Sequence, residues 1–280
     1  MKPSKTISLI YHDYFDYPLT QEELVKWQVS LKFQLKSYQL PATSSCDGYF
    51  FLKGHDDLVT LRQNREIISQ KKLIIAHHTA SLLKFIPTIK MVGITGSLAM
   101  NNCHEKSDID FMIVTSRGTL WTTRLFTLLF LKFMRVPVRS RGDKNEKDKL
   151  CLNIWMDEND LVIHEHNLYT AHELAQVVPL INRGKTYERL LLQNFWIKNF
   201  WPNAVKFTKN ISSKKLPITH YPLITAVFEK IVFRFQYQRM KKSITNETVT
   251  RTRAFFHPIN WSKKLESHLT KSNIRIPCNT

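Results

Sequence analysis

Apolar residues recur at helical spacing near the start of the chain, where Ile7, Ile10, Tyr11 and Tyr14 lie three and four positions apart. Thr20, with Glu23 three residues on, has the form of a capping box and predicts a second helix just after Pro18. Residues 5–40 therefore read as mainly helical. Asp47 to Gly54 places Tyr49-Phe50-Phe51-Leu52 between turn residues, which predicts a short strand. Residues 56–85 read as one long helix that stops before Pro87. The pattern then changes to short apolar runs. Met91–Thr95, Ile109–Thr115, Val136–Val138, Leu150–Met156 and Leu161–His164 predict strands, and Gly118–Arg135 an apolar, buried helix. Arg139 to Lys149 reads as a charged turn. Thr170 and Glu173 repeat the capping-box form, and helices are predicted around 171–178, 186–199, 220–242, 246–255 and 260–270. Pro202 and Pro217 bound a Lys-rich linker.

These elements predict an α+β fold. A winged-helix-like module would span residues 1–56, a connecting helix 57–88, a small mixed-sheet core 89–166 and a helical C-terminal region 167–280. Winged-helix modules bind DNA or serve as protein docking units, and no recognition-helix pattern separates the two here.

Charge sharpens this picture. The chain has 41 Lys and Arg against 23 Asp and Glu, a net charge of +18. That surplus suits anionic partners such as nucleic acid or nucleotide phosphates, and equally a solubilising surface. Cys46, Cys103, Cys151 and Cys278 lie far apart, with neither zinc-site nor disulfide-framework spacing, which fits a reducing cytoplasm. The apolar stretch Leu120–Met134 carries Arg124 and Lys132 and is too short to span a bilayer, so no membrane partner is expected.

The chemistry is concentrated in two neighbouring segments. Val92-Gly93-Ile94-Thr95-Gly96-Ser97 reads as a strand ending in a turn, and Ser107-Asp108-Ile109-Asp110-Phe111 opens the next strand. Glycine lets backbone approach a phosphate closely, and a serine at a helix start offers a hydroxyl beside free N–H groups. Residues two apart on a strand face one side, so Asp108 and Asp110 point together while Ile109 enters the core. Paired carboxylates suit a hard cation such as Mg²⁺ or Mn²⁺, which retains phosphates and water as further ligands. Such ions can polarise an α-phosphate and stabilise both entering and leaving oxygens.

Gly-Ser followed about a dozen residues later by Asp-x-Asp on an apolar strand resembles the signature of the DNA polymerase β-type nucleotidyltransferases. The motif covers residues 92–114. The wider layout resembles bacterial nucleotidyltransferase-domain proteins with no assigned substrate. The resemblance implies that Gly96 and Ser97 hold a nucleoside triphosphate and that Asp108 and Asp110 bind the metal. It also implies a third acid on a later strand. That position holds Asn153, which can accept a hydrogen bond or offer a carbonyl to a metal but cannot act as a general base. Asp157 and Glu165 are the nearby acids that could take its place.

Two functions follow. One is transfer of a nucleoside monophosphate from a nucleoside triphosphate to an acceptor hydroxyl, with Asp108, Asp110 and Asn153 as catalytic residues. The other is a nucleic-acid-binding or regulatory protein built on a degenerate core. Among the remaining residues, Arg62, Arg65, Lys71, Lys72 and Lys84 read as a solvated helix face. Arg124 either reaches a phosphate or snorkels to the surface. His77-His78 and His164-x-His166 lack a third ligand, and the aromatic run Phe195 to Trp201 reads as core.

Overall fold

In the computed structural model of the protein, the described residues are 2–35, 41–207, 223–242, 244–245, 247–256, 261–272 and 274–275. The N-terminal part comprises α1 (Pro3–Asp13), β1 (Leu19–Thr20), α2 (Gln21–Lys26), β2 (Gln34–Leu35), β3 (Thr43–Cys46) and β4 (Tyr49–Leu52). The middle runs through α3 (Asp57–Leu83), β5 (Ile89–Ile94), α4 (Gly96–Ala99), β6 (Ile109–Thr115), α5 (Leu120–Phe133) and β7 (Leu150–Asp157). It is followed by α6 (Leu168–Ala175), β8 (Val178–Asn182), α7 (Thr186–Gln193), α8 (Leu223–Lys241), β9 (Thr248–Val249), β10 (Arg253–Phe255), α9 (Trp261–Lys271) and β11 (Ile274–Arg275).

The central sheet has the order β8-β5-β6-β7-β10-β9. Only β6 and β7 run parallel, with α5 in the crossover between them; the other pairs are antiparallel. The sheet alternates between two apolar cores. Met91, Met112, Val114 and Met156 face one core with α1, α2, α6 and α7, whereas Val92, Phe111, Ile113 and Trp155 face another with α3, α5 and α8. The architecture is α+β around a mixed sheet. Its strands come from beyond residue 166 as well as before it, since β8, β9 and β10 belong to it.

The capping box at Thr20 is present: Thr20 Oγ1 accepts from the Glu23 N–H at 3.2 Å, and Glu23 Oε2 accepts from the Thr20 N–H at 2.9 Å. At the second capping-box pattern the sequence reading was displaced. Asn167, not Thr170, caps α6, accepting the Thr170 N–H at 2.8 Å, in keeping with the preference for Asn over Thr at this position. Residues 27–33 are not helical, and 36–40 lie outside the described residues, as do Cys278 and most of the Lys-rich linker. The segment expected as a helix over 246–255 is instead the β9–β10 hairpin, consistent with its β-branched Thr248, Val249, Thr250 and Thr252. Leu161–His164 forms no strand; the Ile163 N–H is taken by the Asn194 side chain at 2.7 Å. Val136–Val138 is reduced to a single bridge from Val138 to Leu150.

The solvated-face reading of α3 holds for Lys71 and Lys84, which are exposed, and fails for Arg62, Arg65 and Lys72. The buried stripe of this helix runs Leu58, Arg62, Arg65, Ser69, Lys72, Ala76, Ala80 and Leu83, so three cations lie on the inner face. Each finds oxygen partners from distant segments. Arg62 forms two 2.9 Å bonds to Glu23, Arg65 reaches Asn102 at 3.1 Å and Asp16 at 3.2 Å, and Lys72 reaches the Ser107 carbonyl at 2.8 Å and Asp148 at 2.5 Å. Arg124 neither reaches a phosphate site nor snorkels. It bonds Gln236 on α8 and lies over the Phe256 ring, and burial lowers it to about 10. On α5, Trp121 and Leu131 are buried as expected, but Phe126, Leu129 and Phe133 are exposed. Trp201 is fully buried and Phe200 nearly so, while Phe195 is exposed. Both histidine pairs, His77-His78 and His164-x-His166, are exposed.

Candidate functional site

Strands β5, β6 and β7 and the residues next to them deliver polar side chains to one cavity of about 740 Å³, walled by α1 and its following turn, by α6, and by Phe256 and Trp261. Gly96, Ser97, Asp108, Asp110 and Asn153 all line it, so the residues singled out in the sequence come together. The parallel register sets Asp110 opposite Cys151. Asp110, Met112 and Val114 share one face while Ile109, Phe111 and Ile113 enter the other core.

Glycine is required at position 96. Its φ is +61°, and a Cβ there would lie 2.5 Å from Asp110 Oδ2. The Thr95 N–H donates to the Asp110 carbonyl at 3.0 Å, locking the turn to the acid-bearing strand. Ser97 Oγ lies 3.4 Å from Cys103 Sγ. Asn153 Nδ2 donates to Asp110 Oδ1 at 2.6 Å. The carbonyl oxygen of Asn153 is buried and has no partner, and Thr95 Oγ1 is likewise orphaned. Unpaired buried oxygens at a cavity wall mark positions where a ligand or cation can complete the coordination.

Electrostatically the cavity is the reverse of the chain. Among the described residues its lining carries the carboxyl groups of Asp16, Asp108, Asp110, Glu146 and Glu173 against one fixed cation, Arg139. Arg139 is already engaged, donating to Asp108 Oδ2 at 2.7 Å and pairing with Glu146. Burial, with the Asp108 charge added, raises Asp110 to about 7. Burial, then the charge of Asp110, raises Glu173 to about 8. Burial also raises the Cys151 thiol, with the two aspartates adding to it. Burial is the first cause in all three, and a cation held between the acids would favour their ionised forms.

Neither Asp157 nor Glu165 takes the place of the third acid at Asp110. Asp157 caps the turn after β6, accepting from Gly118 N–H at 2.5 Å and Asn159 N–H at 2.9 Å, and does not line the cavity. Glu165 lines a second chamber of about 390 Å³. The two chambers share Thr95, Tyr169, Glu173 and Trp261. Glu173 is the site residue that sequence reasoning missed, along with Arg139, Cys151 and His172. The available signal was the polar set Tyr169, His172, Glu173 and Gln176, spaced three and four apart in an otherwise apolar helix.

A hydrogen-bonded chain ties this wall to the N-terminal part. His12 Nδ1 lies 2.8 Å from the Ser8 carbonyl and so carries a proton, which makes its Nε2 the acceptor for His172 Nε2 at 3.2 Å. Gln176 Nε2 donates to Glu173 Oε1 at 2.6 Å. Burial holds both rings neutral, His12 at about 4 and His172 well below its ordinary value. No family model, curated protein or solved structure matches the chain. Among the described residues no helix is long and apolar enough to cross a membrane.

Proposed function

We propose that the protein is a metal-dependent nucleotidyltransferase, transferring a nucleoside monophosphate from a nucleoside triphosphate to an acceptor hydroxyl. One observation carries the reading: Gly96, Ser97, Asp108 and Asp110 converge on a cavity whose described lining residues include five acids and one fixed cation. Divalent cations would let a triphosphate sit against these carboxyl groups in their ionised forms. The acid pair and the orphaned Asn153 carbonyl are donors that suit Mg²⁺ or Mn²⁺. Held there, the cation would neutralise phosphate charge and polarise the α-phosphate.

The remaining tasks fall to the protein. The tight turn at Gly96 brings backbone beside Asp110, and Ser97 offers its hydroxyl to a phosphate oxygen. Asn153 fixes the rotamer of Asp110 through its amide. Glu173, on the wall opposite, takes the proton that Asn153 cannot. The acceptor oxygen bonds to the α-phosphorus as its proton passes to Glu173. The α–β bridging bond breaks, and pyrophosphate leaves with the electron pair. Arg139, released from Asp108, can pair with phosphate.

Asn153 in the place of an acid is the observation that favours a second reading, a binding or regulatory protein with a degenerate core. Here the basic surface would bind nucleic acid, with a steep loss of affinity as salt rises. Incubation with α-labelled nucleoside triphosphates, Mg²⁺ or Mn²⁺ and cell extract separates the readings. Transfer by the wild type that is lost in Asp108→Asn supports the enzyme; transfer unchanged by Asp108→Asn and Asp110→Asn together refutes it.

A further inference from the structure

One ligand atom from each of Asp108, Asp110 and Cys151 lies within 4.8 Å of the other two. The β6–β7 register makes this so, since Cys151 is the cross-strand neighbour of Asp110. Two independent observations bear on what the cluster can hold. The first is Asn153, only 3% exposed. Its amide nitrogen is anchored on Asp110, and its side-chain oxygen Oδ1 is buried with no hydrogen-bond donor, on a residue that lines the cavity. An amide fixed in that orientation lacks a cation or a hydrogen-bond donor on its oxygen side. The second is Arg139. Its Nη1 sits 2.7 Å from Asp108 Oδ2 and 3.9 Å from Cys151 Sγ, so a guanidinium rests against both the oxygen and the sulfur donor.

Sulfur changes which ion such a centre prefers. Mg²⁺ binds through oxygen and gains little from a thiolate, whereas Co²⁺ and Zn²⁺ take mixed carboxylate, carbonyl and thiolate sets readily. We propose that Cys151 is a metal ligand, and that Asp108, Asp110 and Cys151 form a centre selective for a thiophilic divalent cation over Mg²⁺. The inference rests on the reading of Asp108 and Asp110 as metal ligands and goes beyond it by naming the third donor and the class of ion. On binding, the sulfur–metal bond forms and the Cys151 thiol proton is released to solvent; no electron is transferred. Arg139 is displaced from Asp108 in the same event.

Cobalt alone tests this without a nucleotide or an acceptor. The full chain, with Cys46→Ser and Cys278→Ser so that only the buried Cys103 remains beside Cys151, is titrated with Co²⁺ at pH 8. Binding is followed by visible d–d absorption, and thiolate ligation by near-ultraviolet charge transfer. The expected result is a charge-transfer band saturating with the d–d bands and resisting a hundredfold excess of Mg²⁺. In Cys151→Ser the band should vanish and Co²⁺ should bind about tenfold or more weakly. Arg139→Ala, which removes the competing cation, should bind Co²⁺ more tightly than its parent. Co²⁺ uptake with no charge-transfer band, or a band that survives Cys151→Ser, overturns the role of Cys151 and leaves the acid pair standing. No Co²⁺ uptake by the parent chain overturns both the inference and the metal-centred reading beneath it.

Discussion

Removing the Asp110 charge should stabilise the metal-free protein, by an amount that grows with pH. Burial and the Asp108 charge raise this carboxyl from 3.8 to about 7. At roughly 1.36 kcal/mol per pH unit, the full cost of ionising it in the native state is about 4 kcal/mol. Solvent in the cavity screens part of that, leaving about 2 kcal/mol. The sign follows from proton binding. Between the two values the native state keeps a proton that the unfolded chain has released, so stability falls as pH rises from 3.8 toward 7 and levels off above it. Asp110→Asn abolishes the titration while still accepting the Asn153 hydrogen bond. Its gain should be roughly 1 kcal/mol at pH 5 and about 2 kcal/mol at pH 8. For a chain of 280 residues, the larger gain corresponds to a rise in Tm of about 3 °C. Thermal melts of both proteins in EDTA at each pH measure it. Comparison at a single pH cancels the opposing contribution of His12, which weakens the native state as pH falls. A variant less stable than wild type at pH 8, or equally shifted at both values, refutes the reasoning.

Other substitutions test separate links. Gly96→Ala forces a Cβ toward Asp110 at a positive φ and should cost about 1–3 kcal/mol in chemical denaturation, while also weakening metal-dependent nucleotide binding in calorimetry. Lys72→Met removes the donor holding the Ser107 carbonyl and should lower stability by about 2 kcal/mol in urea, with faster amide exchange at Asp108. Glu173→Gln should leave metal-dependent nucleotide affinity within about twofold but depress transfer, and flatten the limb of the rate profile set by the Glu173 carboxyl, which burial raises. An unchanged profile removes Glu173 from the proton's path.

The cavity-lining strands were legible because their signals are local. Gly96-Ser97 and Asp108-Ile109-Asp110 each carry their meaning within a few residues, and alternation along one strand decides which way the acids point. The rest depends on pairings that no local pattern encodes. Arg62, Arg65 and Lys72 look like a solvated face because their partners Glu23, Asp16 and Asp148 lie 39 to 76 positions away. Glu173 reads as a capping residue until α6 packs beside Asp110. Cys151 becomes a neighbour of Asp110 only through the parallel register of β6 and β7. The β9–β10 hairpin was misjudged for another reason: its strands are two and three residues long, too short to establish a period, and only their β-branched composition argued for strand.

Isothermal titration of ATP into the full chain with Mg²⁺ or Mn²⁺, repeated in EDTA and with Asp108→Asn/Asp110→Asn, tests the central claim most directly. The account predicts binding in the presence of the cation, none in EDTA, and none in the double variant although it melts no lower than wild type. Equal affinity in all three conditions would contradict a site in which carboxylates hold the nucleotide through a metal.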